Sequence, residues 1–154
     1  MKNYLFLLLT FSCAGLYAQL LTPQPSPRAK ISQIVGLTTV EVDYSRPAAR
    51  GRKIMGNLVR YNEIWRTGAN KNTIISFSDP IKIDGKTLPA GEYSIYTRPS
   101  ENQWDIYFHK STNNWGLPEQ WDESKIAFSL SITPAYFDVK IESFTISISD
   151  IYSD

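Results

Sequence analysis

Thr39 to Ser45 reads TVEVDYS, and its residues alternate between polar and apolar at every step. Successive side chains of a β-strand point to opposite faces. Val40, Val42 and Tyr44 therefore share one face, and Glu41, Asp43 and Ser45 the other. This is the pattern of a strand with one side buried. Working outward, Ala29 to Val35 reads as the preceding strand, with Gly36-Leu37 as the turn. Thr73 to Phe77 is a third strand, closed by Ser78-Asp79-Pro80. Ile81 to Ile83 and Lys86 to Leu88 flank Asp84-Gly85, a pair suited to a two-residue hairpin turn. Pro89-Ala90-Gly91 turns the chain into Glu92 to Arg98.

Gln103 to Lys110 follows the Pro99–Asn102 turn, with Trp104, Ile106 and Phe108 on one face and Asp105, Tyr107 and His109 on the other. Lys125 to Thr133 alternates again, with Ile126, Phe128, Leu130 and Ile132 inward. Phe137 to Ser149 reads as a last strand with a phase slip. Val139 and Ile141 are odd-numbered, whereas Phe144, Ile146 and Ile148 are even-numbered, which predicts a bulge or a change of sheet near Glu142-Ser143. Short turns are expected at Gly56–Tyr61 and Pro118–Glu123. Helical periodicity never lasts beyond a turn or two. The reading is all-β: a single antiparallel β-sandwich or jelly-roll-like barrel with two long irregular loops. The expected core comprises Val40, Val42, Ile75, Phe77, Tyr93, Ile95, Trp104, Ile106, Phe108, Phe128, Leu130 and Ile132.

The ends of the chain bear on its compartment. Lys2 followed by the apolar run Tyr4–Phe11, with Ala18 as the last small residue, reads as a signal peptide over 1–18 that leaves Gln19 first. The run is far below the roughly 20 residues a membrane span needs. The expectation is a periplasmic or secreted protein; the alternative is a lipoprotein anchored at Cys13. Residues 19–28, with Pro23, Pro25 and Pro27, form an extended lead-in, and 29–154 form one all-β domain. Cys13 is the only cysteine, so residues 19–154 offer neither disulfide nor thiol chemistry. They must stand on a hydrophobic core, and a domain of this size can supply one.

Charge is unevenly spread. Residues 46–71 hold seven basic residues against Glu63 alone, whereas 101–154 hold three basic and nine acidic ones. The two halves can neutralise each other across the fold, or the basic stretch can meet a small anionic ligand, an acidic glycan or an envelope protein. In an exported protein no nucleic acid is expected there.

Tyr44 to Asn70 is too irregular for a helix and too rich in Arg and Gly for a core strand, yet it carries Ile54, Leu58, Tyr61, Ile64 and Trp65 as anchors. A connection of that length is an ordered functional or structural loop. The candidate ligand-binding residues are Tyr44, Arg46, Arg52, Trp65, Arg66 and Asn70. Arginine offers a planar fork for carboxylates and phosphates, and asparagine offers a donor and an acceptor. The same arginines could equally satisfy buried carbonyls or pair with Asp43 or Glu63. Arg66, next to Trp65 and the Thr67-Gly68 turn, is expected to be mostly buried with two or more hydrogen bonds.

Catalytic groups are sparse, so the expectation leans away from an enzyme; an envelope-associated hydrolase and a purely structural envelope protein are the alternatives. His109 is the only histidine, and no metal site of ordinary type or cofactor is expected. It reads as a surface or cross-strand histidine, because Asp105 lies roughly 13 Å away along the strand. Glu41 and Asp43, about 7 Å apart on one strand face, read as a solvated face. Phosphate-cradling loops of the GxxxxGK[ST] or GxGxxG type are absent.

YSRP at 44–47, GRKIMGNLV at 51–59, IWRTGAN at 64–70, LPAGEYS at 88–94 and WG at 115–116 together resemble domain-of-unknown-function family 2911. The resemblance runs from Pro25 to about Asp150. It implies an exported protein of a Bacteroidetes-type bacterium and no assigned activity. It also implies a further short strand beyond the position of Asp154 in relatives, so that the last sheet edge would be completed differently here.

Overall fold

The computed structural model describes residues 22–149. The expected signal peptide and Cys13 lie outside the described residues. Eight strands form: β1 (Arg28–Val35), β2 (Thr38–Ser45), β3 (Thr73–Phe77), β4 (Ile81–Ile83), β5 (Lys86–Leu88), β6 (Gly91–Pro99), β7 (Trp104–His109) and β8 (Ile126–Ile132). Six of them make one antiparallel sheet in the order β1-β2-β3-β6-β7-β8, and β4 and β5 pair as a separate hairpin. The chain is all-β, as the alternation implies. Among the described residues a single 3₁₀ turn, Glu123–Lys125, is the only helical element. β1 and β8 lie at opposite edges, so the described sheet is open. Its second layer is the β4–β5 hairpin and irregular chain, not a second large sheet.

Register explains the core. Val40 pairs with Phe77 and Val42 with Ile75, Ile75 with Tyr93, Ile95 with Phe108, and Phe108 with Phe128. Paired residues share a face, so the apolar half of each strand joins one surface. The hairpin covers part of that surface. Leu88, completely buried, packs with Phe77, Tyr93, Phe108 and Phe128, and Ile81 and Ile83 flank the cluster. The hairpin turn is as expected, with Asp84 at φ 47° and Gly85 at φ 75°. Positive φ at both central residues matches the right-handed twist of the flanking strands.

Two expectations fail in this layer. Ile132 pairs with Trp104 yet is 40% exposed, because β8 is an edge and nothing among the described residues covers that corner. Phe137 to Ser149 is not a strand. It touches the loop after β2 through a single bridge, Ala48 to Ser143, and by Ala49 N–H to Glu142 O and Phe144 N–H to Pro47 O. The phase slip marks a chain that lies across the sheet's apolar face and docks by separate side chains: Phe144 packs edge-on against Tyr44 and Trp65.

The opposite face carries the second irregular segment, 111–124. Asn72, fully buried, donates to Ser94 Oγ and to Thr112 O (3.1 Å), and Asn114 Nδ2 donates to Tyr96 Oη (3.2 Å). His109 corrects its surface reading. It is buried between Tyr96 and Trp121, and its Nδ1 accepts from the Ser111 N–H at 3.1 Å. A register shift between Phe108 and His109 accompanies this.

Candidate functional site

Beyond the start of β3, its place beside β6 is taken by the loop. Trp65 exchanges both backbone hydrogen bonds with Thr97 (2.7 and 2.9 Å), and Asn62 N–H donates to Pro99 O at 2.8 Å. The chain then turns sharply, with Thr67, Gly68 and Asn70 all at positive φ (53°, 148° and 59°). A β-branched residue in that region is rare and strained. Thr67 is held by its hydroxyl's bond with Thr97 Oγ1 (3.1 Å) and by Thr73 Oγ1, which donates to Thr67 O at 2.6 Å. Gly68 is required on a second count: a Cβ there would stand 3.1 Å from Thr73 Oγ1 and 3.2 Å from Ser45 O.

Between this loop and residues 137–145 opens a cavity of about 670 Å³. One wall is Trp65, edge-on to both Trp104 (6.4 Å between centroids) and Phe144 (5.4 Å). Met55, Val59, Ile141 and the small residues Ala48, Ala49 and Ala69 complete an apolar lining that also includes Arg52, Arg66 and Glu142.

Of the six candidate residues, Arg52, Trp65 and Arg66 line the cavity. The other three stand behind its walls. Tyr44 Oη both donates to Ile146 O (3.3 Å) and accepts from the Ile146 N–H (3.2 Å). Arg46 donates to Phe144 O (3.2 Å) and Thr145 Oγ1 (2.9 Å). Asn70 Nδ2 donates to Ser26 O at 3.3 Å.

The arginines therefore divide. Arg52 is spent on Ala49 O (2.9 Å) and Ala48 O (2.8 Å), and Arg50 on Pro25 O (3.0 Å). Arg66 differs from its expected state. It is half-buried, and among the described residues its side-chain hydrogen bond is one of 3.5 Å from Nη1 to Asn70 O. The acids expected as loop anchors have other partners, for Asp43 pairs with Arg28 (2.6 Å) and Glu63 with Arg60 (3.5 Å). Glu41 pairs with Lys30 at 2.9 Å, which leaves the Glu41–Asp43 face occupied by ion pairs.

Glu142 escaped the sequence reading. Its carboxylate accepts from the Arg50 N–H at 2.5 Å and pairs with Lys140 at 3.3 Å, tying the two cavity walls. Those contacts, the Arg50 backbone bond foremost, hold its pKa below the usual glutamate range. Gly116 carries no signal in the sequence beyond the WG pair at 115–116. It leaves room for the Arg66 guanidinium, since a Cβ there would stand 2.8 Å from Nη1.

Among the described residues no three His, Cys, Asp or Glu side chains gather as a metal cluster, and no helix is long and apolar enough to cross a membrane. No curated protein and no solved structure matches the chain. The sequence profile of the family described as "Protein of unknown function (DUF2911)" matches residues 26–154. That span covers most of the chain and contains both walls of the cavity; the chain belongs to the DUF2911 family.

Proposed function

We propose that this protein is an exported, non-catalytic binding module that takes a small molecule into the cavity between residues 47–69 and 137–145. The observation that carries the reading is the cavity itself. Its volume of about 670 Å³ falls within the roughly 300–1,000 Å³ typical of small-ligand sites. An apolar, partly aromatic lining with a few charged groups is the usual composition of such sites. The export part rests on Lys2, the apolar run Tyr4–Phe11 and Ala18. Mass spectrometry of protein from the native host should find Gln19 as the first residue; a retained Met1 would overturn it.

Binding is tested by a thermal-shift screen against sugars, amino acids and organic anions. A ligand of the folded state raises the unfolding midpoint by mass action. A dose-dependent rise with one chemical class, abolished by filling the cavity with Ala48→Trp, supports the reading. A flat response to all classes at millimolar concentration would leave the structural role. That second reading is favoured by Arg46, Arg50 and Arg52, whose guanidinium groups are bonded to the protein's own carbonyls and hydroxyls.

A further inference from the structure

We infer that the ligand is an amphipathic monoanion: a carboxylate on an aromatic or aliphatic body, with the carboxylate on Arg66 and the body against Trp65, Trp104 and Phe144. This rests on the proposal that the cavity binds a small molecule. It follows from which groups in the lining still have something to offer.

The lining carries three charged side chains, and two are already committed. Glu142 is held by the Arg50 N–H and Lys140. Arg52 is bonded to the carbonyls of Ala48 and Ala49. Arg66 has five N–H donors and uses one, over 3.5 Å, with no carboxylate beside it among the described residues. Gly116 backs the guanidinium so closely that a Cβ would come within 2.8 Å of Nη1. A half-buried cation with unused donors, on a residue of the cavity wall, is suited to an anion. A single planar fork matches one carboxylate bidentately.

The remainder of the lining argues against a polyol. Its hydroxyls are few, and Thr145 Oγ1 is already engaged by Arg46 and by Ser143 O (3.0 Å). A sugar would leave hydroxyls facing aromatic and aliphatic carbon, and an unsatisfied buried polar group costs free energy. The Trp65–Trp104–Phe144 cluster, with edge-to-face contacts among its rings, instead offers flat apolar area to a ring or an alkyl chain.

The test compares acids with their neutral amides on the purified full-length protein by isothermal titration: indole-3-acetate against indole-3-acetamide, and octanoate against octanamide. The expected result is that one acid of the two pairs binds about ten- to a hundredfold tighter than its amide, the range for hydrogen bonds to a charged group. Arg66→Gln should remove that preference. Arg60→Gln, at an exposed position outside the lining, should leave it in place. Equal affinity of acid and amide would overturn the anion assignment and leave the cavity reading standing, as would binding of sugars alone. If neither acids, amides, sugars nor amino acids bind, both inferences fall. The comparison on wild-type protein stands even if Arg66→Gln does not fold.

Discussion

Arg66 reaches close to Gly116: a Cβ on the glycine would be 2.8 Å from Nη1. The approach joins the two irregular segments of the chain, the loop after β2 and the segment after β7. Gly116 has φ 91°, which L side chains rarely adopt. Gly116→Ala should therefore cost about 1–3 kcal/mol in stability and also push Arg66 from its place. Chemical denaturation measures the first effect, and the affinity for an acid ligand the second. A variant as stable as wild type would show that the close approach is dispensable.

Arg46 and Arg66 should respond differently to truncation. Arg46→Ala strands Phe144 O and Thr145 Oγ1, and the expected loss is about 1–3 kcal/mol. Arg66→Ala removes one long hydrogen bond, so the expected change is within about 0.5 kcal/mol. Unfolding midpoints of the two variants decide it; equal losses would mean that Arg66 is a structural residue after all.

Leu88 sits at zero exposure under the hairpin, among Phe77, Tyr93, Phe108 and Phe128. Leu88→Ala should cost about 2–5 kcal/mol through lost burial and the void it leaves. Because the hairpin is no part of the cavity lining, ligand affinity measured well below the melting temperature should not change. A parallel loss of affinity would show that the hairpin and the cavity are coupled.

Acid should loosen the cavity rim. Glu142 has a folded-state pKa below its ordinary value, chiefly through the Arg50 N–H. A carboxylate depressed in the folded state adds stability that is present above its unfolded pKa and is lost as pH falls through the folded value. The loss therefore sets in below about pH 4.3, the ordinary glutamate value. Glu142→Gln keeps an acceptor but no titrating group. Its melting temperature should fall less steeply between about pH 4.3 and pH 3 than that of wild type. Parallel pH profiles would refute the assignment.

Most strands were legible because alternation survives wherever one face of a sheet is buried. Thr39–Ser45 and Trp104–His109 pair as their patterns imply. What alternation cannot convey is how fully a face is covered, and Ile132, in phase with the core, stands 40% exposed on the edge strand. Nor does it distinguish apolar residues that pair from those that merely dock. Phe144 and Ile146 are apolar at strand spacing, yet they serve Tyr44, Trp65 and the cavity wall. The candidate loop was recognisable from its length and composition. The division of labour among its arginines was not, since it depends on carbonyls supplied by Pro25, Ala48, Ala49 and Phe144. Positive φ at Thr67 had no signal in the sequence, because a β-branched residue is the last to be expected there.

The contacts that fasten one wall of the cavity have a consequence in time. Strands paired in the sheet are separated by at most 27 residues of chain, those between β2 and β3. By contrast, Tyr44 and Arg46 reach residues 98 to 102 positions away to fasten the segment around Phe144. Closing a long loop costs more conformational entropy than closing a short one, so this wall should be the last piece to dock during folding and the first to detach. The amides of Ala49 and Phe144 should then exchange with solvent faster than that of Thr97, which is locked between Trp65 and β7. The wall could then detach while the sheet beneath stays intact, so that the binding surface would be lost before the protein unfolds.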